Sequence, residues 1–359
     1  MEDTRIRVGF FGLNPDSHWA ATAHIPALKH LENDFVVNGV ANSTYASAKK
    51  TAEALNIPYA FESAKALAES DAIDLVTVTV KVPHHFELVK TALNAGKHVY
   101  CEWPLGNGLK EAEELAELAE KKGVVAAVGT QMRTAPEVRH LQRLIAEGYI
   151  GKVLSTTLTG HGGNWGDETI DDYYYLFDKA NGATMLTIPL AHTMAGMIDV
   201  LGDFKDISAK MVNLRSTVRV ADTGETRPKT AEDQIMVHGT MQSGAAFSIH
   251  YKGGLSKGTN LLWEINGTKG DIQVTGGMGH GQMVQLTVQG AADGDDTMQP
   301  LMPPKEMYEN LPDSSIPRNV AGIYALVAED IKTGSRKAPS FKDAVRLHKI
   351  IDKIENSAR

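Results

Sequence analysis

The chain of 359 residues has a single cysteine, Cys101. One cysteine closes no internal disulfide, so the fold rests on its core and a reducing compartment is expected. At the end of an apolar run, Cys101 reads as a small buried residue rather than a reactive thiol. There is no excess of positive charge either: 36 Lys and Arg stand against 44 Asp and Glu, a net charge of −8. That balance argues against a nucleic-acid backbone as partner. No run approaches the ~20 apolar residues of a membrane span. Met1-Glu2-Asp3-Thr4-Arg5 opens without an apolar leader core. The expectation is a soluble, cytoplasmic protein that contacts neither membrane nor nucleic acid. Internal repeats and low-complexity tracts are absent from the sequence, and no metal site is expected.

What the chain does have is 42% hydrophobic residues over a length that exceeds one ordinary domain and fits two. The first third alternates strand and helix. Ile6–Phe11 is a short apolar run, read as a buried strand. It ends in Gly12-Leu13-Asn14-Pro15-Asp16-Ser17-His18-Trp19, and a helix is expected over residues 20–31. Strand, glycine turn and helix N-terminus in that order cradle a pyrophosphate, because backbone N–H groups and the helix dipole face the anion. Of the fingerprint Gly-x-Gly-x-x-Gly only Gly12 is kept, with Asn14 and Ser17 in the other two places. The motif alone therefore does not separate a nucleotide turn from an ordinary one.

Phe35–Ala41 is the second strand. At its end an acid would grip the ribose of NAD; here stand the uncharged Asn42 and Ser43. NAD is not specifically favoured, so the cofactor reads as NAD(P) with a slight lean to NADP. Residues 74–80 form a β-branched strand buried on both faces, followed by Lys81-Val82-Pro83-His84-His85. Another strand runs into Tyr100-Cys101-Glu102-Trp103-Pro104, where proline, with no N–H to give, ends it. In open α/β sheets that carboxyl edge is where ligands bind. A strand within residues 124–131 completes one doubly wound parallel sheet.

Beyond a helix over residues 136–147 the pattern turns antiparallel. Strands are expected at 153–159, 206–214, 233–241, 245–252, 261–266, 271–275 and 283–288. Residues 216–232 and 290–305 read as mobile surface loops. Alternating apolar residues over 245–252 and 261–266 call for cover, so a homodimer or homotetramer through this sheet is expected. The fold class is α/β: a Rossmann domain over 1–131, then an α/β domain with a large, mostly antiparallel open sheet over 132–316. Helices over 317–359 are expected to pack back toward the first domain.

Two segments of the second half read as ligand contacts. Gly160-His161-Gly162-Gly163-Asn164-Trp165-Gly166, with Tyr173-Tyr174-Tyr175 after it, lets backbone approach a ligand. Aromatic rings and hydroxyls there suit a carbohydrate; a glycine-rich hairpin with surface tyrosines is the plain alternative. His192 opens a helix. A near-neutral pKa suits it to take a proton from a hydroxyl as hydride leaves, and a core histidine is the plain alternative.

Ala95 to Pro104 resembles the signature Ala-Gly-Lys-His-Val-x-x-Glu-Lys-Pro of the Gfo/Idh/MocA oxidoreductases, with Trp103 in place of the family's catalytic lysine. His24-Ile25-Pro26-Ala27-Leu28, Gln131-Met132-Arg133 and the two terminal helices resemble the family too. The resemblance implies an NAD(P)-dependent oxidoreductase acting on a sugar or sugar-derived hydroxyl or ketone by hydride transfer. It places Pro83, His85, Glu102, Trp103 and Arg133 beside the cofactor, together with Gly12, Asn14, Ser17, Trp19, Asn42 and Ser43. It puts Trp103, His161, Asn164, Trp165, Tyr173 and Tyr175 toward substrate. His192 falls at the family's cleft histidine, and Lys81 or Tyr174 would share the proton transfer. Ile188 and Ala195 stand where the family has acids. The Gly12-to-Ala20 stretch, Val80-Lys81-Val82-Pro83 and Lys252-Gly253-Gly254 are similar to a branch that includes the yeast galactose-pathway repressor. That likeness implies an alternative: a catalytically silent regulator that senses nucleotide and sugar.

Overall fold

The computed structural model describes residues 4–16 and 18–358. The chain divides into two compact units: 1–131 with 310–348, and 132–309 with 349–359.

The first unit is built on six parallel strands, β1 (Ile6–Phe11), β2 (Phe35–Ala41), β3 (Tyr59–Ala60), β4 (Leu75–Val78), β5 (His98–Glu102) and β6 (Ala126–Gly129). Their order is β3-β2-β1-β4-β5-β6. That is the doubly wound arrangement in which the strand order reverses beside β1, so β1, β2 and β4 all end at the same edge. Helices α1 (Ile25–His30), α2 (Tyr45–Leu55), α3 (Ala64–Glu69), α4 (His85–Asn94) and α5 (Leu109–Lys122) connect them. Local chemistry marks their ends. The Thr44 and Ser63 side chains accept from the amides of Ser47 and Ala66, capping α2 and α3. Gly123, at a φ of 66°, stops α5 in the left-handed region. The expected first helix is two pieces: a π turn over Ala20–His24 precedes α1.

The second unit opens with α6 (Pro136–Ala146) and β7 (Val153–His161), then β8 (Glu168–Thr169), α7 (Ala191–Leu201), β9 (Phe204–Val212), β10 (Thr217–Val220), β11 (Thr226–Pro228) and β12 (Gln234–Met241). It continues through β13 (Ala246–Lys252), β14 (Leu261–Gly267), β15 (Gly270–Gly276), β16 (Thr287–Ala292) and β17 (Gln299–Pro300). Eight of these strands form one sheet, ordered β17-β16-β15-β14-β7-β13-β12-β9. It is antiparallel except where β13 runs parallel to β7.

Four expectations change here. Residues 216–232 are not one loop: β10 and β11 pair as a hairpin, and β10 pairs with β8 to make a small separate sheet. The last long strand is β16 at Thr287–Ala292, because the stretch before it turns inward and buries His280 and Gln282. The apolar residues of β13 and β14 already have cover: Phe247, Ile249, Tyr251, Leu261, Trp263 and Ile265 are all buried. They call for no second subunit. Finally, the stretch Lys179–Leu201 is long and apolar enough by composition to cross a membrane. Most of its apolar window is buried inside the fold, as in the core helix of a globular domain.

Two helices close the chain, α8 (Ser315–Thr333) and α9 (Phe341–Ser357). α8 joins the first unit: Val320, Ile323, Tyr324 and Val327 share one buried cluster with Val8, Phe10, Leu28 and Val40.

Candidate functional site

The ends of β1, β2, β4 and β5 carry the first group of candidate residues. Gly12 follows β1 at a φ of 86°, and a Cβ there would sit 2.5 Å from Val80 Cγ1. Only glycine fits both demands. The next residue is fixed by side chains from neighbouring elements. Asn42 accepts from the Leu13 amide at 2.9 Å and donates to the Leu13 carbonyl at 2.9 Å. Thr51 donates to the same carbonyl at 3.0 Å, and Thr79 donates to the Gly12 carbonyl. Asn14 and Ser43 are exposed, while Ser17 lies outside the described residues. Trp19 packs partly buried against the core, and its indole N–H is buried without a partner among the described residues.

His85 is buried between two segments. Its Nδ1 lies 2.6 Å from the Pro104 carbonyl and its Nε2 2.9 Å from the Val80 carbonyl. Burial outweighs those two acceptors and lowers its pKa. The ring thereby braces the end of β4 against the turn after β5. Lys81 and Pro83 stand exposed beside it.

Glu102 does not point freely into a ligand edge. Gln131 donates to both carboxylate oxygens, at 2.7 and 2.9 Å, and His24 Nε2 lies 3.1 Å from one of them. His24 Nδ1 lies 2.9 Å from the Tyr324 hydroxyl, which also meets Thr77 at 3.1 Å. This network commits the carboxylate to the core of the first unit. The His24-Ile25-Pro26 segment thus earns its place by holding Glu102. Trp103 is buried too, its ring 4.7 Å from that of His348 and tilted by 42°. Burial drops the His348 pKa to about 4.

The second unit carries another buried polar group. His192 lies on α7, with Nδ1 buried and unpartnered among the described residues. Burial, and to a lesser degree His280, push its pKa down to about 3. His280 is pushed to about 4 by burial. It contacts the Gly162 carbonyl through Nε2 at 2.6 Å, and Gln282 Nε2 lies 3.2 Å from its Nδ1. Donation from Nε2 to the carbonyl leaves Nδ1 as the acceptor, so the ring is neutral with a fixed tautomer. Its face stacks on Trp165, centroids 6.1 Å apart at 16°. Trp165 is buried and donates to the Leu176 carbonyl at 2.8 Å. It is a pillar of the glycine loop rather than an open substrate platform.

That loop is held from below. Lys229 donates to the Trp165 carbonyl at 3.0 Å and to Asp233 at 2.8 Å, and both charged groups are fully buried. His161 is buried with Nδ1 unpartnered among the described residues, and Asn164 is half-buried. Tyr174 donates to the Pro228 carbonyl at 2.8 Å under the Arg227 guanidinium, which ties up its proton. Tyr173 is exposed, and burial raises Tyr175 to about 12. Arg133 is paired with Asp199 at 2.8 Å.

Sequence reasoning missed His280, Gln282 and the Lys229–Asp233 pair. The run Gly277-Met278-Gly279-His280-Gly281-Gln282 was the available signal for the first two. The glycines there let backbone pass closely: a Cβ on Gly279 would meet the His161 carbonyl at 2.5 Å.

Comparison with known proteins fits this geometry. Residues 6–130 match the oxidoreductase family with an NAD-binding Rossmann fold, and residues 136–276 match the Gal80p C-terminal domain. The dehydrogenase aclE of Aspergillus oryzae is 32% identical over 76% of this chain and 77% of its own. The chain belongs to the Gfo/Idh/MocA oxidoreductase family. The galactose/lactose metabolism regulatory protein GAL80 of Kluyveromyces lactis is 32% identical over 79% of this chain. The chain spans about two thirds of that regulator's length, 66%. A Gal80p super-repressor mutant structure from Saccharomyces cerevisiae superposes with a TM-score of 0.90 at 26% identity, covering 99% of this chain and 96% of that one. The levoglucosan dehydrogenase of Pseudarthrobacter phenanthrenivorans is 25% identical over 80% of this chain and 79% of its own.

Proposed function

We propose that the chain binds NAD(P) through its first unit and works as an oxidoreductase on a sugar-derived hydroxyl or carbonyl. The observation that carries this reading is the buried, neutral His192 with an unpartnered Nδ1, in a family whose relatives include dehydrogenases of sugars. The cofactor turn fits its group on three counts. Gly12 leaves no room for a Cβ, side chains hold the turn from behind, and the Trp19 indole N–H lacks a partner among the described residues. The nicotinamide, when bound, supplies the hydride acceptor or donor. The chain's own part is to position a substrate hydroxyl and handle its proton. His192 receives the hydrogen bond, and His280 and Gln282 hold the glycine loop next to it. The neutral end of β2 would accept a 2′-phosphate, so NADP is included. A cytoplasmic setting, suggested by the lone cysteine, belongs to the same proposal.

A second reading is favoured by Trp103. The resemblance puts the family lysine at that position, and an indole neither donates a proton nor carries charge to a developing oxyanion. A histidine held at about 3 is also a weak base at neutral pH. A regulator that binds nucleotide and sugar without turnover has the same parts.

The deciding experiment follows nicotinamide absorbance with both cofactors in both redox states against monosaccharides, sugar acids and polyols, with calorimetric cofactor titration alongside. Turnover that is lost in His192→Ala supports the enzyme. Cofactor binding with no turnover on any substrate rejects the enzyme and supports the regulator.

A further inference from the structure

The end of β2 has a place for a residue that grips the adenosine ribose, and Asn42 stands there. Its side chain is turned the other way. One face of the amide closes a ring with Leu13, accepting from its N–H and donating to its carbonyl, both at 2.9 Å. The same Nδ2 lies 3.1 Å from Ser47 Oγ and 3.2 Å from Thr51 Oγ1 on α2. Thr51 in turn donates to the Leu13 carbonyl. The amide donor group therefore has three acceptors for two hydrogens, and every one of them belongs to the protein. Meanwhile the two later glycines of the dinucleotide fingerprint are replaced, at Asn14 and Ser17. A turn with one glycine needs another means to hold its backbone in line, and the Asn42–Leu13 ring is that means.

We propose that Asn42 is a positioning residue for the phosphate-binding turn and not a ribose ligand, so that the chain does not choose between NADH and NADPH at this residue. The inference rests on the proposed NAD(P) binding. It predicts the opposite of the usual substitution logic. An acid at the end of β2 ordinarily favours NAD by accepting from the 2′-hydroxyl and repelling a 2′-phosphate. Asn42→Asp would instead keep one acceptor and lose the amide donor. Its new carboxylate would face the Leu13 and Thr51 oxygens, and the turn would deform. Ser43 is the exposed neighbour whose hydroxyl makes no bond within the protein among the described residues. An acid placed there leaves the Asn42 ring intact.

The test is calorimetric titration of the full chain with NADH and with NADPH, for wild type, Asn42→Asp and Ser43→Asp. Melting temperatures confirm that each variant is folded under the conditions used. Asn42→Asp is expected to weaken both nucleotides by about tenfold or more, as lost hydrogen bonds of this kind do. Their affinity ratio is expected to stay within about threefold of wild type, which is under ~0.7 kcal/mol. Ser43→Asp is expected to shift the ratio toward NADH and to leave NADH affinity in place. A tenfold or larger shift toward NADH in Asn42→Asp, with NADH affinity retained, overturns the proposal. So does an Asn42→Asp protein that binds both nucleotides as wild type does. A wild-type chain that binds neither nucleotide defeats the cofactor reading itself, and this inference falls with it.

Discussion

At position 103 a buried indole packs on His348. Restoring a lysine there would place an ammonium beside a histidine whose Nε2 is buried without a partner among the described residues. The adjacent carboxylate offers little, because Glu102 is already engaged by Gln131 and His24. A buried charge without a counter-charge costs several kcal/mol, or the amine sheds its proton. Losing the indole adds a cavity cost of ~3–5 kcal/mol where the site cannot collapse. Trp103→Lys is therefore expected to lower the melting temperature and to create no new activity on common aldoses. A stable variant with new aldose activity would contradict this. The sequence showed the replacement but not its setting, since His348 and Trp103 are 245 positions apart.

At the scale of an element, the glycine loop after β7 hangs on a buried ion pair. Burial alone would raise the Asp233 pKa, but Lys229 and the amides of Leu214 and Arg215 hold it below the carboxylate range. Burial lowers that of Lys229. Removing one partner of such a pair leaves an uncompensated charge and costs ~3–5 kcal/mol. Asp233→Asn is thus expected to unfold at markedly lower urea, and hydrogen exchange should quicken at Gly162, Gly163 and Gly254. Exchange there unchanged from wild type would show that the loop does not depend on the pair. This support was hidden in the sequence. Residues 216–232 looked like a polar loop, yet they form β10 and β11 and deliver Lys229 to the interior. By contrast, β1, β2, β4 and β5 were readable from apolar runs ended by turn residues, because strands buried on both faces need no alternation. The candidate site was half legible. His192 came from a family resemblance, whereas His280 lay in a stretch whose glycines conceal any period.

For the whole molecule the histidines set a pH limit. His192, His280 and His348 titrate near 3, 4 and 4 in the fold, against an ordinary value of 6.5. Above about 6.5 both folded and unfolded chains keep them neutral, and they cost nothing. As pH falls below that, the unfolded chain binds protons that the folded chain refuses. Stability is therefore lost progressively between about pH 6.5 and 4. Each histidine takes away ~1.4 kcal/mol for every pH unit that separates its folded and unfolded titration points. Urea unfolding at pH 7.5 and pH 5 should show a loss of several kcal/mol, and His280→Gln should make it smaller. An equal loss in that variant would assign the effect to other groups. A last consequence concerns α8. The cluster that holds β1 and β2 is completed by Val320, Ile323, Tyr324 and Val327. The network around Glu102 is likewise finished by the Tyr324 hydroxyl. On the ribosome, at ~5–20 residues per second, the Rossmann strands emerge early and then wait for nearly the whole remaining chain to be synthesised. The first unit is thus among the last parts of this protein able to reach its final form, and a nascent chain must keep an unfinished nucleotide fold from aggregating until α8 leaves the exit tunnel.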